Sequence, residues 1–436
     1  MKTNLSIRGS ELAQQKPVFL DILSDAWDPV SNPEGVVNIG LAENTLMHSE
    51  MLQFIESRSQ VTSHILTYGD GFSGSRLLKE SLCHFLNQRF SPLTPLSPSH
   101  ISVTSGVSNA IECCAWALCD PGDYILLGRP YFNAFKSIFG LRAGVAVYDV
   151  KFGAIDPFSH EAVRRYEQAY NQAQRDGIRI KALVLCSPHN PLGWSSRKES
   201  FDIRLTHFGP TGRCYSEDVL AEYMVFCNRH KLHLISDEIY ALSVWENPAL
   251  PDSVPFKSIL SMDIKSLMDP SMAHVVWGLS KDFGSTGLRI GCLISQSNTH
   301  LLEAADGISL YNFPSSLADN IASSLLRDDK FTSSYIATNQ HRLAESYSFV
   351  TSLLRRYGIP FYESNAAFFV WINLGAVTED GASDTEIMAR LREKKVYVGA
   401  GYMYASEEPG WFRMVFAHPT PILQEGLQRI AQALEI

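Results

Sequence analysis

The sequence predicts an α/β protein: a larger unit built on a mostly parallel sheet of seven strands, followed by a smaller α+β unit. Three observations carry this. Short apolar runs alternate with stretches of helical period from about residue 75 to about residue 300. Those runs are continuously apolar, as expected of strands covered on both faces. After about residue 310 the texture changes to one long helical stretch and then three further β-rich runs.

Taken in order, "SRLLKESLCHFLNQRF" opens the series, with Leu77, Leu78, Leu82, Phe85 and Leu86 spaced for one helical face. "HISVTSG" is a short strand running into a glycine, and "SNAIECCAWALCDPGD" is a helix stopped by Pro121 and Gly122. "YILLGRP", "GVAVYDV", "KALVLCSP", "LHLISDEIY", "HVVWGLS" and "RIGCLIS" supply the other six strands. The long helix "SSYIATNQHRLAESYSFVTSLLRRYG" then leads into "AFFVWINL", "KVYVGAG" and "GWFRMVFAH". The expected division is a large unit over residues 50–310 and a small unit made of 1–49 and 311–436.

One stretch interrupts this texture. Residues 194–212, "WSSRKESFDIRLTHFGPTG", separate "NPLG" from "RCYSEDVL", and removing them gives a smooth loop leading into a helix. The segment reads either as a surface loop insertion, which chain entropy tolerates, or as a retained intron. Its ends can be coded as GT and AG splice sites, and Leu205-Thr206 as a branch point.

Bulk properties narrow the function classes. At 45% hydrophobic and 19% charged residues, the chain has the balance of a globular protein and not of a disordered one. A net charge of −9 argues against nucleic acid and anionic membrane as partners. The first residues, "MKTNLSIRGSELAQQKP", contain no signal-peptide run, and no later stretch reads as a membrane span. Eight scattered cysteines lack the CxxC spacing of a zinc site and sit mostly in apolar runs. They are expected to act as small hydrophobes in a reduced, cytoplasmic enzyme, with no metal.

In a parallel sheet, ligands bind at the carboxyl ends of the strands, and several polar residues fall there. Gly106, Val107 and Ser108 lie between a strand and a helix, where free amides can hold an anion. Asn190 follows "LVLCSPH", Asp237 and Tyr240 close "LHLISDEIY", and Lys281 follows "VVWGLS". A lysine beside a core strand is costly unless its nitrogen is used or its charge is paired. Each signal alone is common; their order together is not.

With these residues in place, the chain resembles the fold-type I pyridoxal 5'-phosphate (PLP) enzymes, the class I/II aminotransferases. Within them it is most similar to the branch like 1-aminocyclopropane-1-carboxylate (ACC) synthase. The motifs are "GLAEN", "TYGDGFSG", "SPHNPLG", "SDEIY", "SKDFGSTGLRIG" and "PGWFR", and the resemblance runs from about Gly40 to the C-terminus apart from 194–212.

The resemblance implies that Lys281 forms the internal aldimine with PLP and later moves the substrate's α-proton. It implies that Asp237 pairs with the pyridinium nitrogen and that Asn190 and Tyr240 contact the ring hydroxyl. Phe132, in "RPYFNAF", would stack on the ring. Val107, Ser108, Ser280 and Arg289 would hold the phosphate, joined by Tyr68 from the other subunit of a homodimer with shared sites. Arg413 would clamp the substrate α-carboxylate, and Glu43 would face the site. The chain departs from the pattern at Gly278, where many relatives carry a phosphate-binding serine.

The implied reaction is aminotransfer from a small-molecule α-amino acid, through an external aldimine and a quinonoid. Other outcomes are carbon–sulfur β-elimination in a secondary-metabolite pathway, and ACC synthesis. A PLP-binding protein without turnover is the alternative that is not an enzyme.

Overall fold

The computed structural model describes residues 4–14, 18–58, 62–191, 214–378 and 381–436; the 194–212 segment lies outside them. Its strands are β1 (Val37–Asn38), β2 (Ile101–Ser105), β3 (Tyr124–Gly128), β4 (Ala146–Val150), β5 (Ile180–Cys186), β6 (His233–Asp237), β7 (Ala273–Gly278), β8 (Ile290–Ile294), β9 (Phe369–Asn373), β10 (Val396–Tyr397), β11 (Gly399–Ala400) and β12 (Trp411–Val415). The seven strands read from the sequence are β2 to β8. They form one sheet in the order β2-β8-β7-β6-β5-β3-β4. Only β8 runs against its neighbours, so the sheet is mostly parallel, as expected.

The continuous apolar runs follow from this burial. Along β5, Ala182, Val184 and Cys186 enter one hydrophobic cluster while Leu183 and Leu185 enter another. Along β7, Val276 belongs to the first cluster and Val275 and Trp277 to the second. The period of two sends alternate side chains to opposite faces, and both faces are covered.

The helices cover those faces. Helix Arg76–Arg89 starts at Ser75, whose hydroxyl accepts the Leu78 N–H at 3.0 Å. It buries Leu78, Leu82, Phe85 and Leu86. Leu77, expected on that face, is instead exposed, because it lies one residue off the stripe. Helix Val107–Leu118 covers the other face and ends before the Pro121-Gly122 turn, where Gly122 takes φ 88°.

The expected long helix spans Asp329–Arg356. Beyond it, β9, β12 and β11 form an antiparallel three-stranded sheet, with Arg413 on β12 opposite Trp371 on β9. β1 pairs in parallel with β10, which ties the N-terminal segment to the C-terminal part of the chain. Among the described residues, no helix is long and apolar enough to cross a membrane. All eight cysteines are buried thiols.

Candidate active site

Every strand of the large sheet except β8 ends at the same edge, and β8 starts there. This edge collects residues that are far apart in sequence. A cavity of about 180 Å³ opens on it, lined by Val107, Ser108, Phe132, Asn190, Asp237, Tyr240, Ser280, Lys281 and Arg289. These nine were all singled out from the sequence. Ile111, Cys186, Ile239 and Thr286 complete the lining and were not.

Lys281 sits in a short helical turn, Leu279–Asp282, directly after β7. Its Nζ donates to the Ala42 carbonyl at 2.5 Å. Burial brings its pKa down to about 8; the nearby Arg413 charge adds to this, and Glu43 opposes it. The amine therefore gives up its proton far more readily than an exposed lysine, which suits a nucleophile or base.

The neighbour that fixes this turn is Asp282, which the sequence reading did not use. Its carboxylate is buried and accepts from Trp277 Nε1 (3.0 Å), Ser243 Oγ (2.8 Å) and the Leu242 N–H (3.1 Å). Its sequence signal was only adjacency, in "SKDFG"; its donors come from β7 and from residues 242–243.

Asp237 ends β6 and is 5% exposed. Burial pushes its carboxyl up to about 7, while the Ile239 N–H and the Lys281 charge pull the other way. Next to it, Asn190 Nδ2 donates to the Tyr240 hydroxyl at 3.4 Å. Burial keeps that phenol protonated.

At the other end of the cavity, Gly106 takes φ 77° and caps helix Val107–Leu118. The Asn109 and Ala110 N–H groups fold back to the Gly106 carbonyl, leaving the Val107 and Ser108 amides as the first of the helix. Arg289 lies against Gly106, where a Cβ would collide with its guanidinium. It donates to Ser105 O at 3.1 Å and to Thr286 O at 3.0 Å.

Gly278 is set by packing. A Cβ there would stand 2.6 Å from Ile290 O and 2.9 Å from Gly291 Cα. Both are backbone atoms, so this position has no room for a serine.

Arg413, on β12, is 3% exposed. Its Nη1 donates to Asn190 Oδ1 at 2.9 Å and its Nη2 to Gly40 O at 2.7 Å, while its Nε is buried without a partner. The guanidinium lies over the rings of Phe369 (4.3 Å) and Tyr404 (4.7 Å). An unpaired buried donor costs on the order of 1–3 kcal/mol, so an acceptor is missing from this site. Glu43 is half-buried and close enough to Lys281 to affect its charge.

Arg413 and Glu43 do not line the cavity but meet its residues Asn190 and Lys281, whereas Tyr68 neither lines it nor meets them. It is 75% exposed and sits beside Phe72 and Phe313.

These residues fit pyridoxal phosphate. A cationic and amide-rich end suits a phosphate. A buried carboxyl raised to about 7 would be held ionised by a positively charged partner such as a pyridinium. A lysine lowered to about 8 feels the charges of both that carboxylate and Arg413, whose Nε is unpaired.

Comparison with known proteins agrees. The family model "Aminotransferase class I and II" matches residues 37–202 and 206–430. The mouse protein named "Probable inactive 1-aminocyclopropane-1-carboxylate synthase-like protein 2" is 35% identical over 94% of this chain and 68% of its own. The "Probable aminotransferase aclI" of Aspergillus oryzae is 31% identical over 91% of this chain and 90% of its own. Among solved structures, aspartate aminotransferase from Thermus thermophilus with maleate superposes with a TM-score of 0.73, covering 99% of each chain at 20% identity.

Proposed function

The chain belongs to the class I and II aminotransferases, which are pyridoxal-phosphate enzymes, and from that premise we propose that it transfers the amino group of a small α-amino acid. The observation that carries this is the buried Arg413 Nε with no acceptor, in the same site as a lysine of lowered pKa. A substrate α-carboxylate supplies the acceptor, held by the flat, two-pronged face of the guanidinium.

When bound, pyridoxal phosphate supplies a ring that withdraws electrons from the substrate's Cα. In this reading the chain orients that ring and handles the protons. Asp237 holds the proton on the ring nitrogen. Asn190 and Tyr240 donate toward the ring hydroxyl, and Phe132 covers one ring face. The Val107 and Ser108 amides, Ser280 and Arg289 hold the phosphate. Lys281 Nζ anchors the cofactor, and once released it carries the α-proton. Glu43 borders the substrate.

Tyr68 reaches the phosphate of a second copy of the chain, so the active form is a homodimer. Its exposure, away from its own cavity, supports that role. We take residues 50–310 as the unit holding the cofactor, and 1–49 with 311–436 as the unit carrying Arg413.

The test is the absorbance spectrum of the cofactor-loaded protein after one turnover without a keto acid. It is run across amino acids, S-adenosylmethionine and cysteine S-conjugates. Accumulation of pyridoxamine phosphate supports transfer. Return of the starting spectrum while substrate disappears overturns transfer in favour of elimination or cyclisation. Arg413→Lys should weaken amino-acid binding on the order of 10- to 100-fold and leave cofactor affinity nearly unchanged, because a point charge does not reproduce the fork. Equilibrium titrations of both ligands check this.

A further inference from the structure

The pose of Arg413 depends on the segment that joins β11 to β12. Residues 401–404 form a turn that brings the Tyr404 ring onto Arg413, with Tyr404 2% exposed. Two ties hold this segment against loops of the large sheet. The Tyr131 N–H donates to the Tyr404 carbonyl at 2.9 Å. The Glu407 carboxylate accepts two successive backbone amides, Phe152 N–H on Oε1 (2.7 Å) and Gly153 N–H on Oε2 (3.0 Å).

The Glu407 tie is a built one. Gly153 takes φ 59°, a left-handed conformation, beside a buried Phe152. Successive amides turned toward one point make an anion nest. A carboxylate with one amide on each oxygen is fixed in both position and rotation. The other tie leads back to the cavity. Tyr131 precedes Phe132, and its hydroxyl donates to Asp149 Oδ1 at 2.6 Å, beside the Arg129–Asp149 ion pair at 2.5 Å. The loop that presents Phe132 and the segment that presents Tyr404 are thus clamped together.

We propose that Glu407 is a positioning residue for the substrate carboxylate. It holds segment 401–407 in its nest, keeps the Tyr404 ring on the Arg413 guanidinium, and so aims the unpaired Nε into the site. The inference rests on the reading of Arg413 as the carboxylate clamp. Glu407 touches no reacting atom. Its loss therefore acts on ligands that carry a carboxylate and spares those that do not.

The test uses the pyridoxal-phosphate-loaded protein, titrated spectrally with 2-methylalanine and with isopropylamine, two amines that differ only in the carboxylate. Wild type should prefer 2-methylalanine. Glu407→Ala should reduce that preference about tenfold, the scale of a partly desolvated cation–π contact, while isopropylamine binds as before. Tyr404→Leu should do the same, and the double variant should be no worse than either single one. Glu407→Gln, which keeps the size and one acceptor, should fall between Ala and wild type; it serves if the Ala variant fails to fold.

An unchanged preference in both Glu407 variants overturns the proposal. Equal weakening of both amines also overturns it, since that is general loosening. Arg413→Lys separates the two ideas. If it removes the preference while the Glu407 variants keep it, only the positioning role fails. If Arg413→Lys also leaves the preference intact, the carboxylate-clamp reading itself fails.

Discussion

A buried carboxylate with no bound cation leaves a pH signature on the cofactor-free protein. Burial raises the Asp237 carboxyl from its usual range to about 7. The folded state then binds the proton more tightly than the unfolded one. Its contribution to stability is fully present below about pH 4 and is lost as pH rises through about 7. Asp237→Asn removes that titration. The cofactor-free variant should match wild type near pH 4 and be more stable on the order of 1–3 kcal/mol at pH 8. Urea unfolding at the two pH values measures this. Gly278 makes a second prediction. Gly278→Ser places a Cβ against Ile290 O and Gly291 Cα. It should destabilise the fold by about 2 kcal/mol and leave cofactor retention no tighter. Unfolding midpoints and a cofactor titration decide. Asp237 and Gly278 were both visible in the sequence, one by its motif and the other by departing from one. The strand contact that excludes a side chain at 278 was not, because it joins β7 to the start of β8.

At the scale of elements, what matters is how the turn bearing Lys281 is held. Asp282 ties it to Trp277, Ser243 and Leu242. Asp282→Ala leaves those buried donors unpaired. It should destabilise the protein by about 3 kcal/mol, and it should slow reaction at Lys281 by displacing the turn. Thermal unfolding and the single-turnover rate check the two parts. The seven long strands were legible because burial on both faces writes itself as an unbroken apolar run. β1, at two residues, leaves too little periodicity to read, and "KVYVGAG", read as a single β-rich run, divides into the two-residue strands β10 and β11 in different sheets. They exist because a partner strand is nearby. Leu77 was misplaced for a related reason: an apolar residue at the margin of a helical stripe faces solvent unless another element covers it.

For the whole molecule, the separation of Tyr68 from the cavity makes the dimer testable. Lys281→Ala should fold normally and show no turnover, and Tyr68→Ala should hold the cofactor poorly. Mixed and reassociated, the two should give activity that neither shows alone. A two-fold dimer of the two variants has one site with both native residues, so recovery of up to about a quarter of wild-type activity is expected. An assay of the mixture against each parent measures it, and no recovery would place Tyr68 outside shared sites.

The sequence by itself determined the fold class, the edge of the sheet that carries the chemistry, and nine of the residues lining the cavity. These are local facts: apolar period, a residue's place at a strand end, and motif spacing are all written within a few tens of residues. The tertiary structure alone decided the partners. It brought Asn190 to Arg413 across 223 positions and Lys281 to the Ala42 carbonyl across 239, and seated Glu407 on the Phe152 and Gly153 amides. It also left the Arg413 Nε unpaired. Hydrogen bonds and desolvation depend on which atoms meet in space, and chain order does not record that meeting.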